Sequence, residues 1–520
     1  VELSTLEQRF SEHVLDATAD YELHVADEER LDGVPENARR RYRARAREQD
    51  RDGWLLTLDF PSYEPVQKYA TDRALREELH GAYTGRCRQG AYDNRETIRR
   101  ILELRQEMAE LLGYPHFPDY QLEEAMAGTG GRARSFVEDL VGRTRPYFDR
   151  DVALLREHAA ELGIDQLQPW DVAYVKESLR LRRYQVDDEA VRPYFPLEAV
   201  LEGLFEIARR VFGLTIRERE IEEVWHEDVR FFDVSDEEGR CVGAFYGDFF
   251  PRKEKRQGAW MNHFITGRPT GDGGFEPHLG FIAGNFTPPE GDTPALLTHR
   301  EVQTIFHEFG HLLHQLCSRV PVKPRAGLRV AWDWVEVPSQ LMENWTWERD
   351  AVALFGRHHR TGEVFPEELF RRLEAGRRYM GGWDQMRQLS FGTLDLALHL
   401  DFAPAGAGGD PAEFAEERLQ PFAPGAEFAR RHNLTSFTHL FSGGYASGYY
   451  SYLWSEVLEA DVFRRFREEG IFSRATGRAL VDAILARGDS AEPDDLFREF
   501  MGRDPDPSAL IERNLGELDE

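Results

Sequence analysis

The stretch from Thr298 to Leu316 leaves this chain the fewest choices. Val302, Ile305, Phe306, Phe309, Leu312, Leu313 and Leu316 recur at three- and four-residue spacing, the period of a helix with one broad buried face. Thr298, with Glu301 three residues later, forms a capping box that predicts where the helix begins. His307, Glu308 and His311 lie within it as His-Glu-x-x-His. Histidines at i and i+4 leave one side of a helix together and can share one ion. Glu308 is rotated about 100° from His307, so it flanks a bound ion instead of ligating it. Zinc is the expected ion, one per chain. Once bound, it lowers the pKa of a coordinated water towards ~7, and Glu308 is placed to take that water's proton.

Two histidines alone do not make a metal site, so a third ligand must come from elsewhere. The metzincin pattern would require Gly at 314 and His at 317, but the chain has His314 and Cys317. Downstream lies Trp332-Asp333-Trp-Val-Glu336-Val-Pro-Ser-Gln340-Leu-Met-Glu343-Asn-Trp345. Glu336 and Glu343 are seven residues apart, nearly one face of a helix, among Trp332, Trp334, Val335, Val337, Leu341, Met342 and Trp345. Carboxylates in such company need partners. One can ligate the metal while the other orients a ligand histidine from behind. His314 also falls on the His307 face, where a place in the core or behind the ligands is the expectation, and Cys317 is expected to be a buried thiol.

Elsewhere the pattern is mostly amphipathic helix, over residues 94–113, 135–162, 196–213, 366–380 and 450–468, which sets the fold class as mainly α. Residues 229–287 differ. Short β-type runs flank the turn at Asp236 and recur at Phe281, as in a small sheet set into a helical protein. Residues 403–411 read as a surface connection. Gly128-Thr-Gly-Gly131 lacks the Lys-Ser/Thr ending of a phosphate loop. The net charge of −29 repels nucleic-acid phosphates. No apolar run reaches the ~20 residues that span a bilayer. Cys87, Cys241 and Cys317 follow no disulfide pattern. No nucleic-acid or membrane partner is expected, and the expected compartment is the cytoplasm.

Together, Phe306-His-Glu-Phe-Gly-His311, Val335-Glu-Val-Pro-Ser-Gln340 with Glu343-Asn-Trp, and Phe437-Thr-His439-Leu-Phe-Ser-Gly-Gly-Tyr445-Ala-Ser-Gly-Tyr449-Tyr-Ser-Tyr452 make the chain resemble the thimet-oligopeptidase family of zinc peptidases. The resemblance implies Glu336 as third ligand and Glu308 as general base, with Glu343 and Asp333 supporting the ligands. It implies that His439, Tyr445, Tyr449 and Tyr452 face a bound peptide. By spacing alone, the three tyrosines form one helical stripe, a pattern that marks a packing ridge more often than a catalytic one. The resemblance also implies two helical lobes flanking a deep substrate channel, with the small sheet near the zinc site. Residues 1–60 are then the remnant of an N-terminal helical region and 61–517 the catalytic region. The expected activity is internal cleavage of short unstructured peptides by a monomer. The alternatives are a peptidyl-dipeptidase of the same family and a non-catalytic peptide-binding protein.

Overall fold

The computed structural model describes residues 1–184, 188–252, 255, 258–271, 273–289, 291–402, 409–429 and 432–516. Most of the connection expected at 403–411 lies outside the described residues. The chain divides into two compact units, one of Val1–Gln185 and Tyr379–Tyr450, the other of Val186–Arg378 and Ser451–Gly516.

The first unit is built from helices Glu2–Ala19, Arg95–Leu111, Gly130–Glu161 and Gly381–Leu400, with shorter helices between them. The Gly128-Thr-Gly-Gly131 stretch proves to be a helix start. The Thr129 hydroxyl accepts from the Arg132 amide and caps Gly130–Glu161, satisfying one of the first-turn amides that no helical carbonyl can reach. This helix and Gly381–Leu400 pack along each other. At Gly382 an added Cβ would lie 2.5 Å from the Tyr147 carbonyl carbon, so the backbones meet where only glycine fits. Strands β1 (Leu23–Val25) and β2 (Trp54–Leu56) pair antiparallel. They cover a small core of Leu31, Tyr42, Val66 and Leu75.

The second unit carries a five-stranded sheet of β3 (Thr215–Glu218), β4 (Arg230–Ser235), β5 (Cys241–Asp248), β6 (Trp260–Ile265) and β9 (His278–Ala283). Two-residue strands β7 (Arg268–Pro269) and β8 (Phe275–Glu276) pair separately. The order is β3-β4-β5-β9-β6, antiparallel except for the parallel β5–β9 pair. The turn read at Asp236 joins β4 to β5, with Gly239 at φ 76°, a left-handed backbone that favours glycine. Helix His299–Cys317 lies on the sheet. Its residues Val302, Ile305, Phe306, Phe309, Leu312, Leu313 and Leu316 are all buried, each worth about 1.5–3 kcal/mol. Glycines in the strands make room for two of these leucines. A Cβ at Gly280 would sit 2.8 Å from Leu312 Cδ1, and one at Gly243 2.6 Å from Leu316 Cδ2.

The structure bears out the helical reading over 94–113, 135–162, 196–213, 366–380 and 450–468, and the fold is mainly helical. Among the described residues no helix is long and apolar enough to cross a membrane.

Candidate active site

The site helix begins where the capping box placed it. The Thr298 hydroxyl accepts from the Glu301 amide, and Glu301 accepts from the Thr298 amide. Glu301 also accepts from the Thr287 amide and hydroxyl at 2.7 and 2.9 Å. It thereby fastens the segment after β9 to the first turn of the helix that carries the histidines.

The second element comes close because Gly310 has no side chain. A Cβ there would lie 2.4 Å from the Pro338 carbonyl oxygen and 2.5 Å from Ser339 Cα. Helix Val337–Glu343 therefore packs against His299–Cys317 at backbone contact, one residue from His311. Glu336 stands just before its first turn, and the Ser339 hydroxyl donates to the Glu336 carboxylate at 2.8 Å. Around these carboxylates Trp334, Val337, Leu341, Met342 and Trp345 are buried, whereas Trp332 is exposed.

This packing brings Glu336 Oε2 to 3.3 Å from His307 Nε2 and 3.2 Å from His311 Nε2. One donor atom from each of the three residues lies within 4.8 Å of the others. Two ligands on a tetrahedral ion with bonds of ~2.0–2.1 Å stand about 3.3–3.4 Å apart. The two nitrogen–oxygen separations thus fit one shared metal, and a set of two imidazoles and one carboxylate suits zinc. Glu343 Oε1 accepts from His307 Nδ1 at 2.8 Å, which turns Nε2 inward. His311 Nδ1 is buried without a hydrogen-bond partner. Asp333 is fully buried, and its carbonyl accepts from the Ser455 hydroxyl at 2.9 Å.

The charges point the same way. Burial opposes protonation of His307, but the Glu336 and Glu343 carboxylates outweigh it and raise the imidazole to about 10. Glu336 is held well below the usual carboxylate range, against its burial, by the two histidines. The cluster is a nest of negative groups that binds positive charge, which protons supply where a metal does not. Glu308 is 6 % exposed. Burial raises its pKa, and this outweighs the histidines and a backbone hydrogen bond from Met261 on β6. A carboxylate so raised is a stronger base than one in water.

His314 has no exposure, and neither ring nitrogen has a hydrogen-bond partner among the described residues. It lies outside the donor cluster, in the core. Cys317 is also buried, which pushes its thiol up to about 11.

The remaining predicted residues fall in both units. In the first, His439 sits on helix Thr438–Phe441. Its ring centroid is 5.6 Å from that of Tyr445 and 5.8 Å from that of Tyr449. Burial lowers the His439 pKa and pushes the Tyr449 phenol up to about 12. The Tyr449 hydroxyl donates to Gln388 Oε1 at 3.0 Å. In the second unit, Tyr452 lies in the first turn of helix Ser451–Glu469. The tyrosines therefore do not form one helical stripe. Tyr445 and Tyr449 stand in turns before that helix, and Ser447 between them has φ 59°, outside any right-handed helix.

Residues 66–515 match Peptidase family M3. The chain is 43% identical over 518 residues to oligopeptidase A of Escherichia coli, spanning 98% of this chain and 76% of that protein. It is 34% identical over 513 residues to the dipeptidyl carboxypeptidase of Escherichia coli, spanning 97% and 74%. Among solved structures, PZ peptidase A with inhibitor 2 superposes with a TM-score of 0.56 at 14% identity. That match covers 99% of this chain and 75% of that one, a likeness of fold.

Proposed function

This chain belongs to Peptidase family M3, and on that premise we propose that it is a zinc oligopeptidase cutting internal bonds of short unstructured peptides. The observation that carries the reading is the donor triangle of His307, His311 and Glu336 with the buried carboxylate of Glu308 beside it. Bound at that triangle, zinc would supply an acidified water and polarise the scissile carbonyl. Glu308 takes the proton of the attacking water and passes it to the departing nitrogen, the two-way task its raised pKa suits. Glu343 fixes the His307 ring. Asp333 supports the segment leading to Glu336 through its bond from Ser455.

His439, Tyr445, Tyr449 and Tyr452 serve the peptide, and Tyr452 donates to the carbonyl oxygen as negative charge develops there. Burial keeps His439 neutral near pH 7, so it can donate a hydrogen bond without bringing a charge. Edge strand β6, whose Met261 backbone meets Glu308, offers an extended peptide a strand to pair with. A folded protein cannot present its chain in that form. The family match falls inside the proposed catalytic region 61–517. The protein works as a monomer in the cytoplasm, in keeping with its free cysteines.

The test combines metal analysis with mass spectrometry of products from a mixed peptide pool, with and without chelator. About one zinc per chain and chelator-sensitive internal cleavage are expected, including cleavage of C-terminally amidated peptides. Release of C-terminal dipeptides alone, and only from free carboxylates, would replace endopeptidase with peptidyl-dipeptidase. Turnover that survives complete metal removal would overturn both.

A further inference from the structure

Asp395 lies in the middle of helix Gly381–Leu400 with no solvent exposure. A carboxylate wholly out of water must find donors, and these come from a segment some fifty residues away. Asp395 Oδ1 accepts from the Ser447 amide at 2.8 Å, and Oδ2 from the Tyr449 amide at 3.0 Å. Between the tyrosines, Ser447 is held at φ 59°, which side chains other than glycine rarely adopt. Its own hydroxyl is buried without a hydrogen bond among the described residues. Nothing in the serine favours this conformation, so the hold comes from Asp395.

The next turn of the same helix holds the other end of the segment. His399 Nδ1 meets the Asp395 carbonyl at 2.8 Å, and Nε2 meets Arg105 Nη1 at 3.0 Å. Arginine only donates, so Nε2 accepts and Nδ1 carries the proton. Arg105 is itself buried. It also donates to the Leu440 carbonyl, beside His439, at 2.8 Å and to Glu7 at 2.9 Å. The Tyr445 amide donates to the His439 carbonyl at 3.1 Å, closing the segment on itself. One buried chain, Asp395–His399–Arg105, thus grips residues 439–449 from both ends.

We propose that Asp395, with the His399–Arg105 pair holding the other end of the segment, is a positioning residue that presets His439, Tyr445 and Tyr449 for the bound peptide. This rests on the reading that those three side chains act on substrate. In Asp395→Asn the amide oxygen can still accept from one backbone N–H, but its NH₂ faces the other, donor against donor. One of the two amides, Ser447 or Tyr449, then loses its hold, which frees the turn around Ser447, and groups displaced by about 1 Å are expected to cost on the order of 10–10² in kcat with KM within about threefold. Adding Ser447→Gly makes a positive φ free of strain and should restore most of the lost kcat.

The experiment measures kcat and KM with one fluorogenic peptide for Asp395→Asn, Asp395→Asn with Ser447→Gly, His439→Gln and Tyr445→Phe, at a temperature where circular dichroism shows each folded. Amide hydrogen exchange at Ser447 and Tyr449 is followed in the unaltered protein. The expected result is a kcat-centred loss in Asp395→Asn, rescue by Ser447→Gly, and slow exchange at both amides. Normal kinetics in Asp395→Asn while His439→Gln or Tyr445→Phe is impaired would overturn the proposal alone, as would a kcat loss that Ser447→Gly does not relieve. Normal kinetics in both His439→Gln and Tyr445→Phe would overturn the underlying reading and the proposal together. If Asp395→Asn does not fold, exchange decides: amides that exchange as fast as an exposed loop overturn the proposal.

Discussion

Gly310→Ala probes the contact on which the metal site is built. The new Cβ would meet Ser339 Cα at 2.5 Å, about 0.9 Å short of the 3.4 Å at which ordinary contact begins, with the Pro338 carbonyl oxygen closer still. Both neighbours are backbone, so no side chain can swing aside. If helix Val337–Glu343 retreats by that distance, Glu336 at its head goes with it. Its 3.2–3.3 Å separations from His307 and His311 then stretch to about 4.1–4.2 Å, the full reach of two ~2.05 Å metal bonds laid end to end. Zinc affinity should fall on the order of 10–100-fold, and the metal-free protein should lose about 1–3 kcal/mol from overpacking. The assay is zinc competition against a chromophoric chelator, paired with urea unfolding of the metal-free protein. Gly376→Ala is the matched control. It also lies in a helix, but nothing stands within 4 Å of its added Cβ, so it should stabilise by about 0.4–1 kcal/mol and leave zinc affinity unchanged. Wild-type zinc affinity in Gly310→Ala would refute the claim that this contact sets the ligand spacing.

Glu343→Gln should weaken zinc about 10–100-fold through loss of the carboxylate behind His307, as read by the same competition assay; unchanged affinity would mean that His307 needs no such partner. Tyr452→Phe should lower kcat on the order of 10²–10³ with little change in KM, and steady-state kinetics with no kcat loss would leave the ring a packing element only. Burial keeps His278 and His299 neutral down to about 4 and His314 down to about 3, all below the unfolded value near 6.5. The unfolded chain therefore binds more protons over that window, so the part of the stability these three supply is full above pH 6.5 and falls as pH drops towards 4, by about 1.4 kcal/mol per pH unit for each histidine. Urea midpoints at pH 7, 6 and 5, compared with His299→Gln to separate one proton from loss of the metal, should show this; equal slopes in the two proteins would contradict it for His299.

The parts of this molecule that were legible in the sequence are those whose causes are local. Apolar residues at helical spacing marked the long helices, and Thr298 with Glu301 marked the start of the site helix. The proposed ligand histidines follow from their i, i+4 placement, whereas the residues alone left Glu336 and Glu343 both open as the third ligand and only the family resemblance chose Glu336. What stayed hidden depends on distant neighbours. That residue 310 must be glycine is decided by Pro338 and Ser339, twenty-eight residues later in the chain. Tyr445, Tyr449 and Tyr452 had helical spacing, but Asp395 takes the amides of Ser447 and Tyr449 that a helix would use. Strands β3 and β6 escaped notice because they are half exposed and only weakly alternating. Each gains its place by pairing with a neighbour that the sequence does not announce.

The interleaving of the two units bears on how the protein is made. Helix Gly130–Glu161 waits for Gly381–Leu400 before its packed face is covered. Helix Val337–Glu343, between Glu336 and Glu343, waits for Ser451–Glu469, which sends Glu459 to the Asn344 amide at 2.6 Å. A ribosome adding ~5–20 residues per second therefore exposes His307, His311 and Glu336, the ligands proposed above, some seconds before their support exists. During that interval, histidines and carboxylates that will bind one ion hang on an unfinished scaffold. On the proposed ligand set, metal loading would belong to the end of synthesis. A chain stopped near residue 400 would contain the complete ligand set and still lack the site.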